Sequence, residues 1–376
     1  MKLKPKITII DYFSNIEDPR VDRTKEHLLI DIIFIAICAV ICGADTWVGI
    51  ESFGNSKYNW LKKFLKLPNG IPSHDTFARV FAKLEPQQFQ ESFLSWVKSI
   101  NKITEGEIVA IDGKTLRSSY DKKTKKKAIH MISAWADKAR LVLAQRKVEE
   151  QSNEITAIPE LIKVLELSGC VVTIDAIGCQ KNIVKQIVKK EADYVIAVKS
   201  NQKNLAKDIE RVFEEAIKNR LAGFRASTYS TQEVSHGREE IRNYVMISDV
   251  AELVDTERKW ENIQSIGMVE SVRTIDGKTS YETRYYISSI VDDAKKFGNA
   301  VRSHWGIENE LHWVLDVSFS EDDCRIRKGN ASQNFTILRH IATNLINEER
   351  TAKLGVKNKR LKAGWDEKYL EKIMGI

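Results

Sequence analysis

The chain has 376 residues, 43% of them hydrophobic and 30% charged, with 18 Gly and 6 Pro. That composition excludes a disordered, collagen-like or low-complexity protein, and the length predicts more than one domain. Lys and Arg (59) outnumber Asp and Glu (52), leaving +7, and the excess is clustered in residues 121–127 and 350–362. The five cysteines form no CxxC pair, which argues against a zinc site or a disulfide framework and for a reducing cytoplasm. The apolar run Leu28 to Cys42 is interrupted by Asp31 and falls short of the roughly 20 residues that cross a bilayer. The N-terminus shows no secretion-signal pattern. No membrane partner is expected.

Residues 1–102 read as an all-helical N-terminal domain, with apolar residues at helical spacing in Leu28 to Cys42, Tyr58 to Leu65, Thr76 to Leu84 and Phe89 to Ile100. Pro68-Asn69-Gly70 ends one helix and Ser73 caps the next. A short helix pair whose second member carries Ser73, His74, Thr76, Arg79 and Lys83 fits either a helix-turn-helix DNA reader or an ordinary bundle.

From Glu107 the pattern changes to strands. Ile108 to Asp112, His130 to Ala136 and Leu141 to Val148 are rich in strand formers; a helix capped by Asn153 follows. The strand Val171 to Asp175, a helix from about Lys181 to Lys190 and the strand Asp193 to Lys199 complete the order β-β-β-α-β-α-β. Three antiparallel strands followed by a right-handed crossover put the fourth strand parallel to the first. Both end in aspartate, so Asp112 and Asp175 meet at one sheet edge, the arrangement of a ribonuclease-H-like α/β core with a mixed sheet.

This first part of the core spans 103–225. Residues 226–290 read as a β-rich insertion with an Asp276-Gly277 hairpin turn, and 291–350 as the C-terminal helices of the core. The basic tail 351–376 is expected to be only partly ordered.

An apolar strand that ends in Asp is often only a cap, but two such endings brought together suit Mg2+, a hard ion that takes one or two protein carboxylates and keeps its waters. A third acid would complete a two-metal site. Between Arg302 and Leu315, the residues Trp305, Glu308, His312 and Leu315 share one helical face; Glu310 lies about 200° from Glu308 on the helical wheel, so only one of the two acids faces the sheet.

These residues carry a family resemblance. Asp18-Pro-Arg20, Ile111-Asp-Gly-Lys-Thr, Asp175-Ala-Ile-Gly-Cys-Gln180, Lys199-Ser-Asn-Gln202, His304-Trp-Gly-Ile-Glu-Asn309, Leu311-His-Trp313 and Glu321-Asp-Asp-Cys-Arg-Ile-Arg327 follow one another as in bacterial insertion-sequence transposases of the DDE type, H-repeat-associated group. The resemblance covers nearly the whole chain. It implies a catalytic, metal-holding triad of Asp112, Asp175 and Glu308, two Mg2+ ions for which Mn2+ would substitute, and DNA cleavage followed by strand transfer.

It also implies double-stranded DNA partners, both terminal inverted repeats and target, a homodimer assembled on DNA ends, and a cytoplasmic, nucleoid-associated location. The wider superfamily has Arg where this chain has His304 and Lys where it has Leu315, so Arg302, Arg325 and Arg327 would supply the positive charge. Lys114, Lys199, Asn201 and Gln202 are expected at phosphates or flanking bases, and His312 at Glu308 or the scissile phosphate. The lysine run at 122–127 and His236-Gly237-Arg238 are further expected DNA contacts. A nuclease without strand transfer and a non-catalytic transposon relic are the alternatives.

Overall fold

The computed structural model describes residues 9–100, 104–120, 127–149, 151–235, 237–255, 257 and 259–376. Lys122 to Lys126 of the lysine run, and His236, lie outside the described residues. Helices α1 (Ile9–Phe13), α2 (Leu29–Ile41), α3 (Trp47–Ser56), α4 (Tyr58–Leu61), α5 (His74–Lys83) and α6 (Pro86–Ile100) come first. Helix α2 is apolar all round and buried at every position except Ile30, as a central core helix must be. The Oδ2 of its Asp31 accepts the backbone N–H of Leu67 at 3.0 Å. Ser73 caps α5 by accepting from the Thr76 N–H.

The tight turn of a helix-turn-helix is not formed between α4 and α5. Residues 62–73 intervene and bury Leu65 and Leu67, while Phe77, Val80 and Phe81 of α5 are buried in a bundle. The apolar stripe of α5 is spent on packing rather than on a paired reader helix.

The sheet follows. Its strands are β1 (Ile108–Leu116), β2 (Ile129–Ala136) and β3 (Leu141–Lys147); then α7 (Glu154–Val164), β4 (Val171–Ile174), α8 (Lys181–Lys189), β5 (Asp193–Val198) and α9 (Lys203–Lys218). Asn153 and Thr156 form a full capping box at α7. Helix α9, absent from the sequence reading, buries Leu205, Ile209, Val212, Phe213 and Ala216 along one stripe, with Phe213 stacked on Tyr285 at 5.8 Å.

Four long strands come next: β6 (Arg225–Ser235), β7 (Arg238–Ser248), then α10 (Ala251–Val254), β8 (Ser265–Ile275) and β9 (Lys278–Ser288). Asp276 and Gly277 both adopt positive φ, as a two-residue hairpin turn between right-twisted strands requires. All nine strands make one sheet in the order β3-β2-β1-β4-β5-β9-β8-β7-β6. The β-rich stretch therefore continues the core sheet: β9 pairs antiparallel with β5 and covers what would otherwise be an open edge.

The chain ends in α11 (Ala294–Gly306), a π-helical segment Ile307–His312, α12 (Trp313–Phe319), α13 (Ala331–Glu348), α14 (Val356–Trp365) and α15 (Glu367–Met374). The two faces of the sheet are covered differently. Ile108, Val171 and Val195 pack with Phe297, Ala300 and Val301 of α11, whereas Val109, Ile111, Val172 and Ile174 belong to the main core with α7 and α8.

Helix α13 is buried along nearly its whole length and joins the two halves of the chain. The Asn334 amide donates to the carbonyls of Phe81 and Leu84, and the Asn344 side chain both accepts from and donates to the backbone of Val142 on the outer strand β3. Both asparagines satisfy backbone groups that helix and sheet leave open.

The tail expected to be partly ordered is instead the folded pair α14 and α15. Two of its basic residues are drawn inward because each finds an acceptor: Arg360 donates to the Val40 carbonyl and to Asp45, and Lys359 to the carbonyls of Ile346 and Glu349. Glu349 binds the pair. Burial pushes its carboxyl up, but hydrogen bonds from Thr351, Tyr369 and the backbone of Ala352 and Thr351 outweigh that and hold it at about 2.

A carboxylate depressed in the folded state contributes stability above its unfolded value near ~4.3, and that stability is lost as pH falls through about 2. Glu349→Gln, which leaves Lys359 buried without its counter-charge, is expected to cost about 3 kcal/mol in urea unfolding at pH 7 and to flatten the acid limb between ~pH 4 and 2. A stability within error of wild type would show that the ion pair contributes nothing net.

Candidate active site

Parallel pairing of β1 with β4 sets Ile108 against Val171 and Ile111 against Ile174, so the next residues, Asp112 and Asp175, stand side by side. The two-residue repeat puts both on the face that α11 covers. Burial pushes the Asp112 carboxyl up to about 7; the Gly113 N–H opposes this, while Asp175, Glu308 and Glu154 reinforce it. Asp175 is raised too, by burial and by Glu154, against the N–H groups of Gly178 and Ile177 and the charge of Lys199. Asp175 also caps the turn after β4, accepting from Ile177 N–H at 3.1 Å. The cap and the cluster coexist.

Helix α11 brings in the third acid. His304, neutral because burial lowers it to about 4, sits with Nδ1 3.1 Å from Thr173 Oγ1 and pins the helix to β4. A Cβ on Gly306 would stand 2.6 Å from Asp137 Oδ1, so this glycine permits the close approach of the helix to the β2–β3 end of the sheet. Next comes the π segment, a rare form that tends to mark functional sites. Glu308, raised by burial and by Asp175 and lowered by Arg284, faces the aspartates. Glu310 points elsewhere and pairs with Arg140 at 3.2 Å.

His312 lies nearer Asp112 than the sequence suggested. Its Nδ1 is 3.6 Å from Asp112 Oδ2, burial lowers it to about 4, and its buried Nε2 has no hydrogen-bond partner among the described residues. Trp305 is half-buried under the Arg284 guanidinium, 4.9 Å from its ring centre.

The expected DNA contacts scatter. Lys114 is enclosed by Asp316 (2.6 Å), Glu321 (3.1 Å) and Asp322 (3.2 Å), so its ammonium ties β1 to α12 rather than facing outward. Asn201 and Gln202 donate to the carbonyls of Ala176 and Cys179 and brace the loop after Asp175. Lys199 is exposed beside Asp175. Arg302 pairs with Glu233 at 2.9 Å, Arg327 donates to the Ser118 carbonyl, and Arg325 is exposed.

Three neighbours escaped the sequence reading. Glu154, the first residue of α7, holds His130 Nε2 at 2.5 Å and bears on both aspartates; a Cβ on Gly113 would collide with that pair. Arg284 reaches Glu308 from β9. An acidic residue just after an Asn cap was the only local hint of Glu154; Arg284 had none, since only the β5–β9 pairing brings it here.

Among the described residues no three His, Cys, Asp or Glu side chains are gathered tightly enough to hold an ion as they stand. The donor set nonetheless fits a hard divalent cation in kind. Three oxygen-bearing acids destabilise one another, and a cation would relieve that repulsion.

Two measurements follow from this electrostatics. The Asp112 carboxyl titrates near 7 when folded and near ~3.9 when unfolded, so in EDTA stability is expected to fall by a few kcal/mol between ~pH 4 and 7 and then level off. Asp112→Asn should flatten that slope and exceed wild type in urea resistance at pH 8; a less stable variant would mean that the charge is already compensated. Glu321, fully buried, is kept ionised against its burial chiefly by Arg339 and Lys114. Glu321→Gln is expected to lose about 3–5 kcal/mol, and the joint change Arg339→Met with Glu321→Leu distinctly less, because that pair is then removed rather than broken while Lys114 keeps Asp316 and Asp322.

Comparison with known proteins identifies the family. The model described as "Transposase DDE domain" matches residues 103–345, and the one described as "DDE_Tnp_1-associated" matches 10–97. "Putative transposase YncI" of Escherichia coli O157:H7 is 44% identical over 370 residues, 98% of this chain and 94% of the relative. "H repeat-associated putative transposase YhhI" of Escherichia coli K12 is 42% identical over 370 residues, 97% of each. A shorter protein, "Inactive transposase YbfQ" of the same strain, is 41% identical over 75 residues, 20% of this chain and 89% of its own length. With its paired strand-end aspartates, the acid-bearing helix packed over them and relatives matched almost end to end, the chain belongs to the DDE-type insertion-sequence transposases, in their H repeat-associated group.

Proposed function

We propose that the chain cuts the ends of an insertion element and joins them to target DNA, using Asp112, Asp175 and Glu308 of a ribonuclease-H-like core to hold two Mg2+ ions. The observation that carries this reading is the register of β1 and β4, which sets two half-buried aspartates side by side beneath the helix that bears Glu308. Asp112, Asp175 and Glu308 would hold the divalent ions, which would supply activation of an attacking water or DNA 3′-hydroxyl and stabilisation of the leaving oxygen.

The chain's own residues arrange the rest. His304 and the Lys114 cluster hold the Glu308 helix to the two strands that carry the aspartates. His312, neutral and with Nε2 unpartnered, orients Asp112 or donates to a phosphate oxygen. Asn201 and Gln202 act as positioning residues for the Asp175 loop, and Lys199 meets the DNA backbone beside it. Residues 9–100 supply end recognition through the outward side of α5, where His74, Thr76 and Arg79 lie, and two copies assemble on paired ends in the cytoplasm.

A second reading keeps the cleavage and omits strand transfer; a third, favoured by the relative called inactive, keeps neither. Glu308→Gln is expected to abolish Mg2+-dependent cleavage of element ends while leaving DNA binding and the melting temperature near wild type, with Glu310→Gln retaining activity. Inactivity of the Glu310 variant with an active Glu308 variant would reverse the assignment. A pre-cut end presented with target DNA yields joined product only if the chain transfers strands.

A further inference from the structure

The strands β7, β8 and β9 carry five basic residues: Arg238, Arg242, Arg273, Lys278 and Arg284. Residues directly opposite in a ladder point to the same face, and the register sets Arg238 against Ile275, Glu240 against Arg273, Ile275 against Lys278 and Val269 against Arg284. All five therefore share one face. The other face of these strands carries Glu239 and Glu270 and no Lys or Arg.

The basic face is the one that α11 covers closer to the core, where Tyr244, Tyr286 and Gly267 meet Phe297. Past the covered part it opens as a cleft of about 350 Å³, bounded on the helix side by Arg302, Trp305 and Asn309. Asn309 immediately follows Glu308.

The charges are incompletely matched. Glu240, 2% exposed, is shared by Arg238, Arg242 and Arg273 at 3.3, 2.7 and 3.2 Å. Glu282 pairs with Arg284, and Glu233 serves both Arg242 and Arg302. Five arginines thus rest on three carboxylates: the Nη1 of Arg242 has only Glu233 Oε2 at 3.3 Å, and the buried Nε of Arg273 makes no hydrogen bond among the described residues. Three guanidinium groups gathered about one buried glutamate repel one another, and an anion would complete the set.

We propose that this face is a phosphate-binding track for the DNA strand that leads away from the scissile phosphate past Glu308, an assignment that rests on the functional reading above. A polyanion is the occupant because guanidinium forks match phosphate oxygens in pairs, and because the excess positive charge lies on the side that opens toward the acidic centre. Arg284, stacked on Trp305, marks the point where the track meets the catalytic helix.

The test uses the full chain and a random-sequence DNA duplex in EDTA, so that binding is read without cleavage. Ser271→Glu adds a negative charge inside the cleft; Thr283→Glu adds the same charge on the opposite face. Ser271→Glu is expected to weaken binding about tenfold at fixed salt and to reduce the slope of log K against log salt by about 1, with Thr283→Glu within about twofold of wild type. The joint variant Arg238→Gln with Arg273→Gln should reproduce the loss with an unchanged salt dependence of folding.

Equal weakening by both glutamates would reduce the effect to bulk charge and overturn the track. So would intact DNA binding accompanied by altered self-association, which would make the face a contact between protein copies. If the wild-type chain binds DNA but never cleaves it with Mg2+, the functional reading fails while the comparison of faces still decides the track.

Discussion

Repulsion between carboxylates at one sheet edge is the constraint around which this molecule is built. The parallel register of β1 and β4 forces Asp112 and Asp175 together on one face, with Glu308 and Glu154 adding to the same field. Such a cluster persists only if the surrounding structure holds it in place, and the supporting contacts are correspondingly strong. Lys114, two residues beyond Asp112, is clasped by three acids from α12 and the loop after it; His304 ties α11 to Thr173 next to Asp175. The helix is therefore fastened at points on either side of Glu308.

The second layer of this support is α13. A helix carrying Asn334, Arg339, His340, Thr343 and Asn344 in its buried surface would be a poor core element by itself. Three of these are placed where another element has an unmet need: Asn334 at the end of α5, Asn344 on β3, and Arg339 on Glu321, which in turn holds Lys114. Lys114, the central helix and the N-terminal bundle thus belong to one packed body. Removing residues 9–100 would uncover α13, so these helices serve the fold whatever they contribute to DNA recognition.

The extension of the sheet through β9 to β6 has two consequences. It buries the edge of β5, and it delivers Arg284 to Glu308 from a strand far along the sequence from either aspartate. Alternation along strands then sorts charge: apolar side chains meet α11 where the helix covers the sheet, and arginines take over on the same face where it does not.

The sequence by itself determined the strand-helix order from Ile108 to Val198, the Asn153 cap, the Asp276-Gly277 turn and the pairing of Asp112 with Asp175. Those depend on local periodicity, on turn chemistry and on the handedness of a crossover, all of which act over short stretches. That Glu308 and Glu310 face different ways was legible as well, because residues two apart fall on opposite sides of a helix. Only the tertiary structure decided that Lys114, Asn201 and Gln202 brace the site from within, that residues 356–374 fold as helices, and that His130, Glu154 and Arg284 stand beside the acids. A lysine in a charged stretch reads the same whether water or three carboxylates surround it. The difference lies in partners more than 200 residues away, whose approach is set by packing rather than by any local pattern.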